Sequence, residues 1–247
     1  MNFSIKQKVK DHALRDAPNE ACGFISVNSF GDVTVLPCEN MARNKTNRFA
    51  IDPRKNIEAE KLGHVAAFYH SHCSDILDKS VDRFSSEDLD TSYESCIPAL
   101  LYVQASDSWH YSQPTTYEPA PLLGRPFVGG IWDCYSIVRD YHKMNNKVSM
   151  GYYFPPDNPS SMCNFGYEEN LSKENFHEID LAEATTGDVF LFKIRSNFIN
   201  HCGVYLGDNQ FIHQPLNSIS TESMLDEKYI QKIHKVMRLN DQSKFKG

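Results

Sequence analysis

Hydrophobic and polar positions along the chain change period several times, and each change marks an element. Residues 3–16, FSIKQKVKDHALRD, set apolar side chains at helical spacing among charged ones, which predicts an amphipathic helix. ACGFISV (21–27) and DVTVLPCE (32–39) predict a hairpin turning at SFGD. IDPRKNIEAEKL (51–62) predicts a helix with Pro53 early in it. VAAFYHSH (65–72) predicts a buried strand, SSEDLDTSYESC (85–96) a helix, and IPALLYVQAS (97–106) a further strand. Downstream, DCYSIVRDYHKMN (133–145) predicts a helix with Ile137, Val138 and Tyr141 on one apolar side. GDVFLFKI (187–194), HCGVYLG (201–207) and QFIHQ (210–214) predict an antiparallel sheet, with GDN at 207–209 turning between the last two runs.

The stretch QPTTYEPAPLLGRP interrupts these patterns with prolines at 114, 119, 121 and 126. Such a stretch suits a semi-rigid spacer and fits poorly inside packed elements. The expected organisation is therefore two α+β domains, 1–113 and 127–247, joined by a proline-rich linker, 114–126.

Composition narrows the function classes. The formal charge of −7, without a Lys/Arg cluster, argues against a nucleic-acid binder. No run of eighteen apolar residues occurs, so no transmembrane segment is expected. The first residues lack the apolar core of a secretory signal. Seven cysteines, an odd number with no C-x-x-C pair, do not read as a disulfide framework and fit a reducing compartment.

Two clusters of chemistry remain. His70 and His72, at i and i+2 of a strand, point to one face and can bind one ion. A catalytic zinc takes three protein ligands and keeps a place for water. An acidic residue from the helix start Ser85-Ser86-Glu87-Asp88 would complete the set, and Glu20 is a candidate base. Asp75, Asp78 and Asp82 are alternative third ligands, and Cys73 could reach the metal as a thiolate. An early Glu before a GFI-type strand, a strand ending in HSH and a following S-x-x-D resemble the JAMM (Mov34/MPN/PAD-1) metallopeptidases. So does CENMARNKTNRFAIDP, which is like the family's bacterial and phage branch. The resemblance covers about residues 3–112 and implies an MPN-like mixed sheet with His70, His72 and Asp88 as zinc ligands. It also implies Glu20 as general acid/base and Ser85 as the donor steadying the oxyanion. The chain departs from that pattern at Cys73, where the family usually has proline, and in a longer loop between His72 and Ser85.

Cys134 opens a predicted helix, where the helix dipole favours a thiolate. His201 opens a predicted strand and His213 lies on the next strand across a tight turn, which suits a nucleophile, a base and an orienting group. Cys202, one residue beyond His201, is expected to point to the opposite face. DCYSIVRDYH, then GDVFLFK, then NHCGVYLGDNQFIHQ resemble the NlpC/P60 cysteine peptidases. That likeness implies a papain-like fold, cleavage of peptidoglycan stem peptides, and Cys134, His201 and His213 as the catalytic set. Asp133 and Tyr135 would flank the substrate groove, and the remaining histidines read as surface or packing residues.

The two families joined in this order resemble tail-tip proteins of long-tailed phages. The resemblance implies a virion protein made in the host cytoplasm and acting at the host cell wall. Its expected partners are other tail-tip proteins and peptidoglycan, and its expected cofactor is Zn2+. A structural tail-tip adaptor with one or both sites inactive is the alternative.

Overall fold

In a computed structural model that describes residues 4–73, 82–153 and 165–240, the chain divides into two units, Met1–Glu118 and Pro119–Gly247. The first contains α1 (Ser4–Asp16), β1 (Cys22–Val27), β2 (Val33–Cys38), α2 (Pro53–Leu62), β3 (His64–His72), α3 (Ser86–Ser95), β4 (Ala99–Val103) and β5 (Ser108–Ser112). Its strands form one sheet in the order β2-β1-β3-β4-β5. β3 and β4 run parallel and the other neighbours antiparallel, which makes the mixed sheet expected from the sequence. The run 97–106, expected as one strand, ends at Val103 and turns back into β5.

Beneath the sheet, Phe24, Phe68, Ala59 and Ala99 share a core with Cys22 and Cys38. Gly23 permits the close passage of β1. A Cβ there would stand 2.3 Å from the Leu36 carbonyl oxygen and 2.8 Å from the Tyr69 ring. The Tyr69 hydroxyl meets His12 Nδ1 at 2.7 Å, and His12 Nε2 meets Asp16 at 3.0 Å, so this histidine is a paired core residue. Cys96, expected as a core thiol, is instead exposed at the left-handed C-cap of α3.

The second unit holds α4 (Cys134–Asn146), α5 (Tyr167–Lys173), β6 (Phe176–Ile179), β7 (Val189–Phe192), β8 (His201–Gly207), β9 (Gln210–His213), β10 (Thr221–Met224), α6 (Glu227–Ile230) and β11 (Ile233–Leu239). The expected three strands form the middle of a six-stranded sheet, β10-β9-β8-β7-β11-β6. The hairpin between β8 and β9 turns through Asp208 and Asn209, both at positive φ, as a tight turn of GDN type requires. Alternation along β7 divides the core. Val189 and Leu191 pack with Ile137 and Val138 of α4, while Phe190 and Phe192 pack with Phe211 and Val236 on the other face.

α4 is buried well beyond its apolar stripe. Asp140 lies inside with Arg125 Nη1 at 2.6 Å and Arg139 Nε at 2.9 Å. Burial alone would raise the Asp140 carboxyl, but the two guanidinium groups hold it below the usual carboxylate range. Arg125 also donates to the carbonyls of Ala120 and Pro121. The downstream end of the proline-rich stretch is thereby tied to this unit, and Tyr117 of its upstream part bonds His64 at 3.0 Å in the first.

Asp140→Asn leaves two buried guanidinium groups without their anion. We expect a loss of about 3–5 kcal/mol from the second unit in urea unfolding, and a loss below about 1 kcal/mol would refute the role of the pair.

Candidate functional sites

β3 delivers His70 and His72 to one face of the first sheet, and the capped start of α3 delivers Asp88 to the same place. Ser85 caps this helix reciprocally. Its Oγ accepts the Asp88 N–H at 3.2 Å, and its own N–H donates to Asp88 Oδ2 at 2.8 Å. One ligand atom each from His70, His72 and Asp88 lie within 4.8 Å of one another. His70 Nε2 is 3.4 Å from Asp88 Oδ1, and His72 Nε2 is 3.8 Å from Asp88 Oδ2.

His70 is fully buried, stacked on Phe49 at 4.5 Å, and neither ring nitrogen makes a hydrogen bond. A buried polar atom without a partner is costly. A cation between His70, His72 and Asp88 would satisfy the ring, and a His/His/Asp donor set suits a divalent transition metal. The residues present therefore fit the expected metal. Asp88 is set for the anionic form: burial would raise its carboxyl, but His70 and His72 hold it well below the carboxylate range.

Glu20 reaches the same place, with Oε1 4.0 Å from His72 Nε2. Burial lifts its carboxyl to about 7, opposed by His72 and aided by Asp88. Its backbone is held from several directions. Glu20 N donates to the Lys45 carbonyl at 2.7 Å, and Asn40 Nδ2 donates to the Glu20 carbonyl at 2.9 Å. Ser71 Oγ accepts the Ala21 N–H at 2.9 Å, and Cys73 Sγ donates to the Asn19 carbonyl at 3.3 Å. Cys73 thus faces the Glu20 segment and stands apart from the metal group. Asp82 is also elsewhere, bonded to His110 at 2.8 Å and to Ser106 and Ser108. His110, read from the sequence as a residue without a partner pattern, pairs with it. Asp75 and Asp78 lie outside the described residues, as does Cys163.

In the second unit Cys134 is the first residue of α4, capped by Asp133. The Asp133 carboxylate accepts from Ser136 N and Gly130 N, both at 2.9 Å. Asp133 is thus the helix cap, and Tyr135 is buried against Tyr153 and Phe165. His201 Nε2 and His213 Nδ1 are 2.8 Å apart, and His213 Nε2 is 3.0 Å from Ser223 Oγ. Burial, then the charge of His201, drives His213 down to about 3, so it is neutral. With His213 donating to Ser223 and accepting from His201, Nδ1 of His201 is left for Cys134.

The Cys134 thiol is pulled well below its ordinary value. A hydrogen bond from Cys202 is the largest cause; burial opposes it, and His201 and the Tyr167 hydroxyl, 3.2 Å from Sγ, act with it. Tyr167, Cys202 and Ser223 were not among the residues expected at this site from the sequence. Cys202 does face away from the partners of His201, but that other face is the one α4 covers.

Residues 4–116 match the family model of prokaryotic homologs of the JAB domain, and residues 124–238 match that of the NlpC/P60 family. The chain is 27% identical over 247 residues to tail tip assembly protein K of Escherichia phage N15, spanning 96% of each. It is 24% identical over 188 residues to tail tip assembly protein K of Escherichia phage lambda, spanning 76% of this chain and 88% of that protein. Among solved structures, the NlpC/p60 domain of the peptidoglycan hydrolase SagA aligns over 48% of this chain and 90% of its own, at 16% identity and a TM-score of 0.33. Among the described residues no helix is long and apolar enough to cross a membrane.

Burial sets a pH dependence of stability. His213 is driven down to about 3 and His142 of α4 to about 4, from an ordinary value of 6.5. Below pH 6.5 the unfolded chain binds protons at these rings that the folded chain does not. Their contribution is complete above that pH and lost as pH falls toward the folded values. We expect each ring to cost about 1.4 kcal/mol per pH unit between about pH 6 and 5. Urea unfolding at stepped pH reads this slope, and both His142→Gln and His213→Gln are expected to flatten it.

Proposed function

Because the chain joins a JAB-family unit to an NlpC/P60 unit, we propose that it is a phage tail-tip hydrolase. On this reading the second unit is a cysteine endopeptidase that cuts peptidoglycan stem peptides during infection. The first is a zinc peptidase acting in tail assembly or in wall cleavage. The observation that carries the reading is the continuous line from Cys134 through His201 and His213 to Ser223, set at a helix start. The likeness to two tail tip assembly proteins supports a place in the virion tail, with other tail proteins as partners.

The chemistry follows from the geometry. His201 takes the Cys134 proton at Nδ1 while neutral His213 holds Nε2–H. The thiolate attacks the scissile carbonyl, and the oxyanion meets the Cys134 backbone N–H at the positive end of α4. The C–N bond breaks as His201 returns the proton to the leaving amine. Water, deprotonated by His201, then releases the acyl group and restores the thiol.

In the first unit His70, His72 and Asp88 would hold zinc, which supplies Lewis-acid polarisation when bound. Glu20, with a carboxyl near 7, is placed to take and return a proton at neutral pH. Ser85 accepts the Asp88 N–H and keeps its own O–H to steady an oxyanion.

Mass spectrometry of digests of diaminopimelate-type peptidoglycan tests the second unit. Wild type should release stem-peptide fragments, and Cys134→Ala should do so slower by on the order of a thousandfold or more. Undiminished cleavage by Cys134→Ala overturns the reading, and no cleavage by folded wild type favours the adaptor. For the first unit, protein dialysed against zinc should retain about one equivalent, lost in His70→Ala/His72→Ala, with a lower Tm after chelation. Equal zinc in both proteins would sink the proposed ligand set.

A further inference from the structure

His213 orients His201, but the line of nitrogens to which it belongs can carry its protons in two ways. His201 Nε2 meets His213 Nδ1 at 2.8 Å, and His213 Nε2 meets Ser223 Oγ at 3.0 Å. In the first arrangement His201 donates from Nε2, and His213 donates from Nε2 to Ser223. Nδ1 of His201 is then bare and can take the Cys134 proton. In the second, His213 donates from Nδ1 to His201, whose own proton then sits on Nδ1, and His201 is no base. The ring of His213 is surrounded by His201 of β8, Phe211 of β9, Ser223 of β10 and Tyr229 of α6. His213 is only 2% exposed, so these protein groups set the arrangement. Ser223 comes from β10, an edge strand of four residues. The register sets Thr221 opposite His213 and Ser223 opposite Phe211, so Ser223 reaches the ring diagonally across one face of the pair. The Thr221 hydroxyl donates elsewhere, to the Glu222 carbonyl at 3.1 Å.

We propose that Ser223 is a positioning residue for the His201 base, its oxygen accepting the His213 Nε2–H and so keeping the lone pair of His201 on Nδ1. The demand is greatest after proton transfer. Once His201 holds the Cys134 proton, both of its ring nitrogens are N–H. His213, kept neutral by burial and by the charge of His201, can then only accept at Nδ1, and its own proton must sit on Nε2. That N–H is buried and needs an acceptor, and Ser223 Oγ is the one within reach. Before proton transfer the site can shift its protons to the second arrangement if the oxygen is removed. The thiolate–imidazolium pair has no such alternative, so the loss falls on the reactive state. This inference rests on Cys134 and His201 as nucleophile and base, but its first readout is a protonation pattern that needs neither substrate nor cleavage.

Two-bond 1H–15N correlation spectra of the full chain report which nitrogen of each histidine is protonated. Ser223→Thr and Ser223→Val are compared with wild type after thermal melts establish folding, because threonine and valine share a shape and differ by the hydroxyl. Wild type and Ser223→Thr should carry the His213 proton on Nε2, and Ser223→Val should populate the Nδ1–H form. Iodoacetamide alkylation of Cys134 at pH 6, read by peptide mass spectrometry, should be slower by about tenfold in Ser223→Val. In peptidoglycan cleavage the same variant should lose about tenfold in kcat and leave KM unchanged. A His213 proton that stays on Nε2 in Ser223→Val, with alkylation at the wild-type rate, would overturn the proposal. Equal losses in the threonine and valine variants would overturn it too, by making the role one of packing. If valine prevents folding, Ser223→Ala makes the same comparison. Retained cleavage by Cys134→Ala would instead remove the nucleophile reading, a separate outcome that the histidine spectra distinguish.

Discussion

Consecutive side chains of a β-strand leave opposite faces, and both sites are built by using the two faces of one strand. In β3, His70 and His72 turn toward Asp88, while Ser71, and Cys73 just past the strand, turn toward the segment that carries Glu20. One short run of backbone thus places two metal-binding rings and braces the proposed base against them. In β8, His201 turns toward His213 and Cys202 turns into the core that α4 covers. A one-residue slip in either strand would exchange these faces, so strand register is itself part of each site. The close passage of Gly23 over Tyr69 is one of the contacts that hold the register of the first sheet.

Burial then acts on Glu20, Asp88, Asp133, Cys134 and His213, and the partners decide which form survives. Glu20 and Asp133 are both lifted by burial, to about 7 and about 6. His213 is driven down to about 3 and stays neutral, which lets it accept from His201 in a fixed tautomer. Asp88 and Cys134 go the other way because their donors outweigh desolvation. In both units the group meant to be anionic is the one ringed by donors, and the group meant to exchange or orient a proton is the one left to burial.

Much of this was legible because it is local. The i, i+2 histidines need only a strand, and the Ser85-to-Asp88 spacing needs only a capped helix start. Cys134 is marked by the helix it opens, and the β8–β9 turn by Asp208 and Asn209. What escaped is carried by contacts distant in sequence. Asn40 and Lys45 grip Glu20 from beyond the hairpin, and Tyr167 reaches Cys134 from a helix of seven residues with too few turns to show a period. β6 and β10 are four residues each with exposed glutamates, and β11 carries Lys235 and Arg238, whose partners lie on other elements. No window along the chain reveals such pairs. Cys96 failed for the opposite reason: a general expectation for the residue type was overruled by its particular place, an exposed left-handed C-cap.

The two proposed chemistries place different demands on their surroundings. A metal-activated water brings its nucleophile from solvent, so the protein must supply ligands and a base near neutrality. His70, His72, Asp88 and the raised Glu20 are such a set. A cysteine nucleophile is part of the chain, so the protein must stabilise its charge where water is scarce. That demand explains why Cys134 sits at a helix start with a histidine, a phenol and a second thiol around it. It also explains why α4 is anchored so firmly. Its first residue must keep its place to within a hydrogen bond, and the buried Arg125–Asp140–Arg139 group, two turns from Cys134, holds the helix to the segment that precedes it. Two guanidinium groups on one carboxylate are a poor source of stability compared with apolar packing. They are directional, however, and direction is what a helix that carries a nucleophile requires.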